Sequence, residues 1–389
     1  MKFDVVIIGG GIVGASLAIA LKDSGLKIAL VESRLPPSLP DDKSWDSRIY
    51  AISPGSVSFL ESLNVWTEIN RNRVSQVYEM AIFGDDNSAR LDFSAYDAGM
   101  TELALIVENR QLQAATWNVL KRQETKVKVF CPMQCTSIEW NESNANIRLS
   151  NDKLLQTTLI IGADGVNSWV RKQAEIEISQ HSYQQSGVVA NFGAELSHQN
   201  TARQWFRRDG MLALLPLPNK LVSMVWSANE EQASTLLSLP ELDLCRQAEE
   251  ASCHALGKLQ LITQPAAFPL NFVRVKNLVA PRLALIGDAA HGIHPLAGQG
   301  VNLGLRDARE LASTIIERGP QSDCGDYILL RRYERARKED ILTMGYTTDS
   351  LQKLFNNENP TLARLRNLGL GITNQLPLIK KHLIQHALS

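Results

Sequence analysis

Two clusters of residues in this sequence have the types and spacing that chemistry requires. The first is Gly9-Gly10-Gly11-Ile12-Val13-Gly14, a G-x-G-x-x-G. Gly9 permits a tight turn, Gly11 lets backbone approach a pyrophosphate, and Gly14 lets a helix pack closely on a strand. The phosphates then rest on the helix N-terminus, where unpaired N–H groups and the dipole favour negative charge. Glu32 stands eighteen residues past Gly14. A carboxylate there accepts hydrogen bonds from both hydroxyls of a ribose and repels a 2′-phosphate. The glycine pattern is weak alone. Its specificity comes from the strand before it, the helix after it and the acid closing the next strand. Together these predict an ADP-containing cofactor.

The second cluster is Gly287-Asp288-Ala289-Ala290-His291, followed by Pro295 and Gly298-Gln299-Gly300. A Gly-Asp after a short strand places a carboxylate where it can accept bonds from a polyol such as ribityl. The Pro-x-x-Gly-Gln-Gly turn and the helix after it present backbone N–H groups to an anion. A reduced flavin is such an anion, with charge over N1 and O2. His291 and His294 have the spacing of a metal pair, but no third ligand is in sight, so packing or substrate contact is the expected role and no metal is expected.

These turns need elements to hold them. Phe3 to Ile8 is a continuous apolar run, the pattern of a parallel strand buried on both faces. Ala15 to Lys22 has helical composition, and Leu26 to Val31 is a second strand ending at Glu32, which completes a β-α-β unit. Val77 to Phe83 and Ala89 to Phe93 read as strands around a hairpin at Gly84-Asp85-Asp86-Asn87. Gln111 to Arg122 reads as a helix, and Lys126 to Phe130, Thr136 to Trp140, Asn146 to Leu149 and Leu155 to Gly162 as strands. From about Val188 to Phe272 the sequence turns sheet-like, with a hairpin of Met211 to Leu217 and Leu221 to Ser227. Leu283 to Ile286 is one more short buried strand, followed by a helix from about Val301 to Arg318, and helical composition resumes at about Tyr327.

The segment His294-Pro295-Leu296-Ala297-Gly298-Gln299-Gly300-Val301-Asn302-Leu303-Gly304-Leu305-Arg306-Asp307 resembles the signature of the ubiquinone-biosynthesis hydroxylases, within the class A FAD-dependent monooxygenases. The resemblance runs over nearly the whole chain. It includes the N-terminal glycines, Asp46-Ser47-Arg48 leading to Ala51-Ile52-Ser53, Arg110, Gly162-Ala163-Asp164-Gly165-Val166-Asn167-Ser168, and the Gly210 to Pro216 strand.

The resemblance implies an α/β fold: a Rossmann-like FAD-binding domain of the para-hydroxybenzoate hydroxylase type, with an inserted β-sheet substrate domain and C-terminal helices. Residues 1–75, 100–172 and 275–325 would form the FAD-binding domain, 76–99 and 173–274 the substrate-binding sheet, and 326–389 the helical region. Arg48 would lie near the isoalloxazine and the substrate mouth, Arg110 would contact the FAD phosphates, and Asp164 would serve FAD and the transient nicotinamide. As a bare Asp-Gly, Asp164 also suits a simple turn. Gly287 and Asp288 would hold the ribityl chain. Pro295, Gly298 and Gln299 would line the reacting flavin, with Gly300, Val301 and Asn302 binding the cofactor at the start of the helix.

The implied activity is hydroxylation of an aromatic ring, with NAD(P)H as co-substrate and O2 as oxidant, through a C4a-hydroperoxyflavin. The implied substrate is a polyprenylated phenol on the route to ubiquinone. A reductase of the same fold and a non-catalytic flavin-binding scaffold are the alternatives. The Trp-x-Trp-x-Ile-Pro motif of the flavin halogenases is absent.

Composition sets bounds. The 389 residues carry 44% hydrophobic content and a formal net charge of −1, so charge gives no reason to expect a nucleic-acid partner. Five cysteines (Cys131, Cys135, Cys245, Cys253 and Cys324) read as reduced thiols in a cytoplasmic protein. No apolar run approaches the roughly 18 residues of a spanning helix. Leu362, Leu365, Leu368, Ile372, Leu376, Ile379 and Leu383 fall at helical spacing beside Arg364, Arg366, Lys380 and Lys381. Docking on the body or a sister subunit of a homo-oligomer is the plain expectation, and a peripheral contact with a membrane or a biosynthetic complex the sharper one. Of Trp205, Phe206, Leu212, Leu214 and Trp226, most are expected in the core and some against substrate.

Overall fold

The computed structural model describes residues 1–36, 38–39, 44–84, 89–123, 125–207, 210–292, 299–319, 322–355 and 374, without the side chains of 351–353 and 355. The C-terminal leucine stretch, His294, Pro295 and Gly298 lie outside the described residues.

The apolar runs become a parallel sheet in the order Leu283–Leu285, Leu154–Gly162, Lys2–Ile8, Ile28–Val31, Val127–Phe130. Val5, Val6, Ile7, Leu30, Ile160 and Ile161 are fully buried, as strands covered on both faces must be. The chain leaves Lys2–Ile8 toward one edge and later returns to fill its other side with Leu154–Gly162. That reversal makes a crevice beyond the carboxyl ends of these two strands, where open α/β sheets bind ligands. Helices Ile12–Ala20, Asn109–Lys121 and Gln299–Ile316 pack around it.

A nine-stranded sheet forms the second layer. Its spine is the 17-residue strand Ile178–Ala194, antiparallel to both Leu221–Asn229 and Ala266–Val275. The expected hairpin is present as Gly210–Leu217 with Leu221–Asn229. Two helices, Glu230–Ser238 and Glu241–Ala251, correct the sheet-like reading of 188–272. They bury the outer face over Val188, Phe192, Trp205, Leu212, Leu214 and Trp226. Of the five candidate aromatics and leucines, only Phe206 turns to the inner face, where it meets Met211, Ile82 and Leu354.

The stretch read as one strand from Val77 divides. Ser75–Val77 joins Ala104–Glu108 and Ile49–Ile52 in a small three-stranded sheet, while Glu79–Phe83 enters the large one beside Arg90–Ser94. The break falls at Tyr78, whose backbone bonds to Asn200 and Ala95 instead. Ile106, Ile49 and Ala51 of the small sheet pack on Ala202, Leu215 and Leu217 of the large sheet's inner face.

Helix Tyr327–Phe355 is 29 residues long and spans about 43 Å at 1.5 Å per residue. Near its start Tyr333 Oη donates to Leu285 O of the parallel sheet; farther along, Asp349 meets Tyr183 and His181, and Leu354 meets Phe206 and Met211. Among the described residues no helix is long and apolar enough to cross a membrane.

Candidate flavin site

Gly9 has φ +109°, and a Cβ there would lie 2.3 Å from Ala163 O, so the two turns at the ends of the central strands touch backbone to backbone. A Cβ on Gly14 would lie 2.1 Å from Gly9 O. Gly11 is different: a Cβ there meets nothing within 4 Å. The reserved space lies at the N-cap of helix Ile12–Ala20, where no side chain caps the helix. Gly10 is clamped, its N–H donating to Glu32 Oε2 at 2.6 Å and its carbonyl accepting Trp117 Nε1–H at 2.8 Å. Glu32 Oε1 accepts the Arg34 N–H at 2.9 Å, which fixes the carboxylate at the rim of this cradle.

The second turn arrives at the same place. Gly287 has φ +59°, and a Cβ on it would sit 3.5 Å from Val13 in the first turn of helix Ile12–Ala20. Gly304 lets helix Gln299–Ile316 close in, since a Cβ there would fall 2.7 Å from Val13 Cγ2. Behind the turn, Asp307 is fully buried. Its Oδ2 accepts from Gly287 N at 2.9 Å and faces His291 Nε2 at 2.5 Å, and its Oδ1 accepts from Arg337 Nε at 2.8 Å. Burial alone would raise the Asp307 pKa, but His291 and Arg337 hold it below its ordinary value. Arg337 and Arg306 share Asp340. This gives His291 a structural role; no cluster of three metal-type ligands occurs among the described residues.

Asp288 itself points the other way. It is exposed to solvent, yet burial pushes its pKa up, against the opposing pull of His291 and Arg48. The turn follows the carboxyl end of strand Leu283–Leu285, so this exposed side chain lies at the cleft beyond the parallel strands. Its carboxylate accepts no hydrogen bond among the described residues. Across the cleft, Arg48 lies with its guanidinium 5.5 Å from the Tyr50 ring centroid. Burial pushes Tyr50 up to about 12, so this phenol is protonated at neutral pH.

Arg110 sits beside the mouth, its Nε on the buried Glu108 at 3.0 Å and its terminal nitrogens on Ser44. Arg73 shares Glu108 and lies 4.0 Å over Trp45. Glu108 and Asp46 together fix the loop before Arg48: Asp46 N donates to Glu108, while Asp46 accepts from the Arg48 and Arg110 amides. Asp164 places both carboxylate oxygens at the start of helix Trp169–Gln173, accepting from Ser168 Oγ and from the Trp169 and Val170 N–H groups. Asn302 clamps the backbone, accepting from Ser53 N at 3.0 Å and donating to Ala51 O at 2.8 Å. Gly300 leaves open space where a Cβ would be, Val301 packs on the core, and Gln299 Oε1 is buried without a partner among the described residues.

Sequence reasoning gave no role to Asp307, Arg337 or Arg171. Arg171 is buried and donates to Ala289 O and Val166 O, both at 2.8 Å, tying the Gly287 turn to the turn that follows strand Leu154–Gly162. A charged Arg306-Asp307 pair on the same helix as Leu303 and Leu311 was the available signal for the first of these.

The residues present fit FAD: open backbone at Gly11 for a pyrophosphate, Glu32 for a ribose, and an unpaired carboxylate at Asp288 for a polyol. Residues 2–341 match the family described as FAD binding domain. The 3-demethoxyubiquinol 3-hydroxylase of Escherichia coli (strain K12) is 32% identical over 388 residues, covering 99% of this chain and 98% of that protein. The chain belongs to the FAD-binding family. FAD is its cofactor, and its chemistry is that of a monooxygenase. The ubiquinone hydroxylase UbiL of Rhodospirillum rubrum is 31% identical, covering 99% of this chain and 89% of that protein. Among solved structures, Pseudomonas aeruginosa PqsL in complex with 2-aminobenzoylacetate superposes with a TM-score of 0.80 at 20% identity, over 96% of this chain and all of that one. At that identity the likeness speaks for the fold.

Proposed function

We propose that this protein hydroxylates the ring of a polyprenylated phenol in ubiquinone biosynthesis, using NAD(P)H and O2. The observation that carries the reading is the convergence of Gly11 and Asp288 on one cleft, with the inner face of the large sheet held against its mouth. Asn191 of that sheet donates to Asp46 O at 2.9 Å, two residues from Arg48. The named relatives, a 3-demethoxyubiquinol 3-hydroxylase and a ubiquinone hydroxylase matched over 98% and 89% of their lengths, support the choice of ring.

Bound FAD supplies the redox chemistry, accepting reducing equivalents from a nicotinamide and activating O2 for transfer of one oxygen atom to the ring. The chain supplies position and field. Gly11 and the uncapped helix N-terminus receive the pyrophosphate, Glu32 the ribose and Asp288 the ribityl hydroxyls. Arg48 places a positive charge at the mouth. Tyr50, held protonated, can donate a hydrogen bond there but cannot act as a base at neutral pH. The packed sheet excludes water from the reacting atoms, which favours oxygen transfer over decay.

The test is one vessel in which NAD(P)H loss, peroxide and product are followed with and without a prenylated phenol. Slow oxidation alone, a rise on adding the phenol, and labelled oxygen from O2 in the product are expected. Stoichiometric oxidation under strict anaerobiosis, giving a reduced organic product, would mean a reductase.

A further inference from the structure

The first turn carries three glycines in succession, and one side chain from elsewhere in the chain decides how the peptide between Gly10 and Gly11 points. Trp117 is buried on helix Asn109–Lys121, seven residues and two turns on from Arg110, so both stand on the same face of that helix. Its Nε1–H donates to Gly10 O at 2.8 Å across 107 residues. Burial does not impose such a bond. Trp226 is equally buried, and its Nε1 has no partner among the described residues. Gly10 is walled in, because a Cβ there would lie 2.8 Å from Trp117 Cζ2 and 2.9 Å from Glu32 Cβ. The Gly10–Gly11 peptide is trans, so its C=O and N–H point in opposite directions. With the carbonyl held inward on Trp117, the Gly11 N–H faces outward, at an exposed residue where a Cβ would meet nothing within 4 Å. That N–H has no hydrogen-bond partner among the described residues.

We propose that Trp117 is a positioning residue for the pyrophosphate of FAD: its bond to Gly10 O keeps the Gly11 N–H aimed at the phosphate oxygens. The inference rests on the placement of the pyrophosphate at Gly11 and deepens it. Between two glycines a peptide flips with little steric penalty, and the flipped form offers the cleft a carbonyl oxygen in place of an N–H. An anion at an uncapped helix N-terminus gains from each N–H directed at it and is repelled by a carbonyl oxygen. Trp117 is what separates the two forms. The Gly10 N–H belongs to the preceding peptide and stays on Glu32 at 2.6 Å whichever way the next one points. Loss of the Trp117 bond should therefore weaken phosphate binding and leave the ribose contact at Glu32 alone.

The experiment uses the full-length protein with Trp117→Phe and Trp117→benzothienylalanine, the second of which keeps the ring shape and replaces only the N–H by sulfur. Trp226→Phe and Gly11→Val are the comparisons. Release of FAD from the loaded protein is followed by flavin fluorescence. ADP and adenosine are then titrated by calorimetry into each full-length chain after flavin removal, and Tm is recorded for each. Both Trp117 variants should release FAD about tenfold faster and bind ADP about tenfold more weakly than the wild type, the size of one hydrogen bond, with adenosine affinity unchanged. Trp226→Phe, which loses the same atoms from another core, should lower Tm without changing the ratio of ADP to adenosine affinity.

Wild-type ADP affinity in the benzothienylalanine variant, an equal loss of adenosine affinity, or the same change of ratio in Trp226→Phe would each overturn the proposal, since the last two mark a general loosening of the protein. The two readings fail separately. ADP binding undiminished in Gly11→Val sinks the placement of the pyrophosphate. ADP binding lost in Gly11→Val but intact in both Trp117 variants sinks the role of Trp117 alone.

Discussion

His291 Nε2 lies 2.5 Å from Asp307 Oδ2, with both side chains sealed from solvent behind the Gly287–Asp288 turn. The same oxygen receives the Gly287 N–H and its partner oxygen receives Arg337, so one carboxylate positions the turn that aims Asp288 into the cleft. Asp307→Asn removes that charge while leaving Arg337 buried. It should cost about 3–5 kcal/mol of stability, the usual penalty for breaking a buried pair. An unchanged denaturation midpoint would contradict this. The pH dependence has a definite sign. The folded pKa of Asp307 is depressed, so its stabilisation is present above the unfolded value near 4 and is lost as pH falls through the folded value. Acid unfolding of the wild type should steepen below about pH 4, and the variant should lack that part of the slope.

The glycines of the first turn should separate folding from cofactor binding. Gly11→Val adds side chain where the protein has no atoms, so the apoprotein should keep its Tm but purify with little FAD. Gly14→Ala drives a methyl into Gly9 O and should lower Tm before any cofactor is added. Full FAD occupancy in Gly11→Val would sink the placement of the pyrophosphate.

Asp288 gives a pH signature to FAD affinity. Burial raises its pKa, whereas a carboxylate accepting ribityl hydroxyls is favoured in its ionised form. FAD binding must then expel a proton at any pH below the raised value. Affinity should therefore fall as pH drops through it, by up to tenfold per unit. Asp288→Asn should flatten the profile, and Asp288→Ala should lose about 1.5–3 kcal/mol of FAD affinity at neutral pH. A dissociation constant unchanged by the alanine would leave Asp288 a turn residue only.

Arg171→Met tests the tie between the two turns. It leaves the Ala289 and Val166 carbonyls without their buried donor, at a cost of about 1–3 kcal/mol. On the proposed placement of FAD against both turns, its release should accelerate together with the drop in Tm. Loss of stability with unaltered FAD release would place Arg171 in the scaffold alone.

What the sequence disclosed and what it withheld follow from range. The glycine turn, Glu32 and Gly287–Asp288 are read within a few dozen residues, because each is a local backbone requirement set by neighbouring strands and helices. Asp307 with Arg337 is a pairing across 30 residues, and Arg171 with Ala289 one across 118, so neither leaves a local pattern. Helices Glu230–Ser238 and Glu241–Ala251 did leave one. Asn229 caps the first by accepting from Gln232 N, and Pro240 precedes the second, but the strong strands on either side masked them. The strand break at Tyr78 has no signal of its own, since the residue is as suited to a strand as its neighbours.

Helix Tyr327–Phe355 is bonded to Leu285 and Asp307 at one end, and at the other it is bonded to Tyr183 and packed on Phe206. Anyone building chimeras between relatives inherits a constraint from this. The helix is common property of both halves, so a crossover that swaps the large sheet alone leaves the helix tip facing a foreign surface. A crossover that moves the helix with the sheet instead strands Asp307 without Arg337. Viable recombinants should be those that exchange helix and sheet while keeping arginine at 337, and a library scored for soluble yellow protein would reveal that linkage directly.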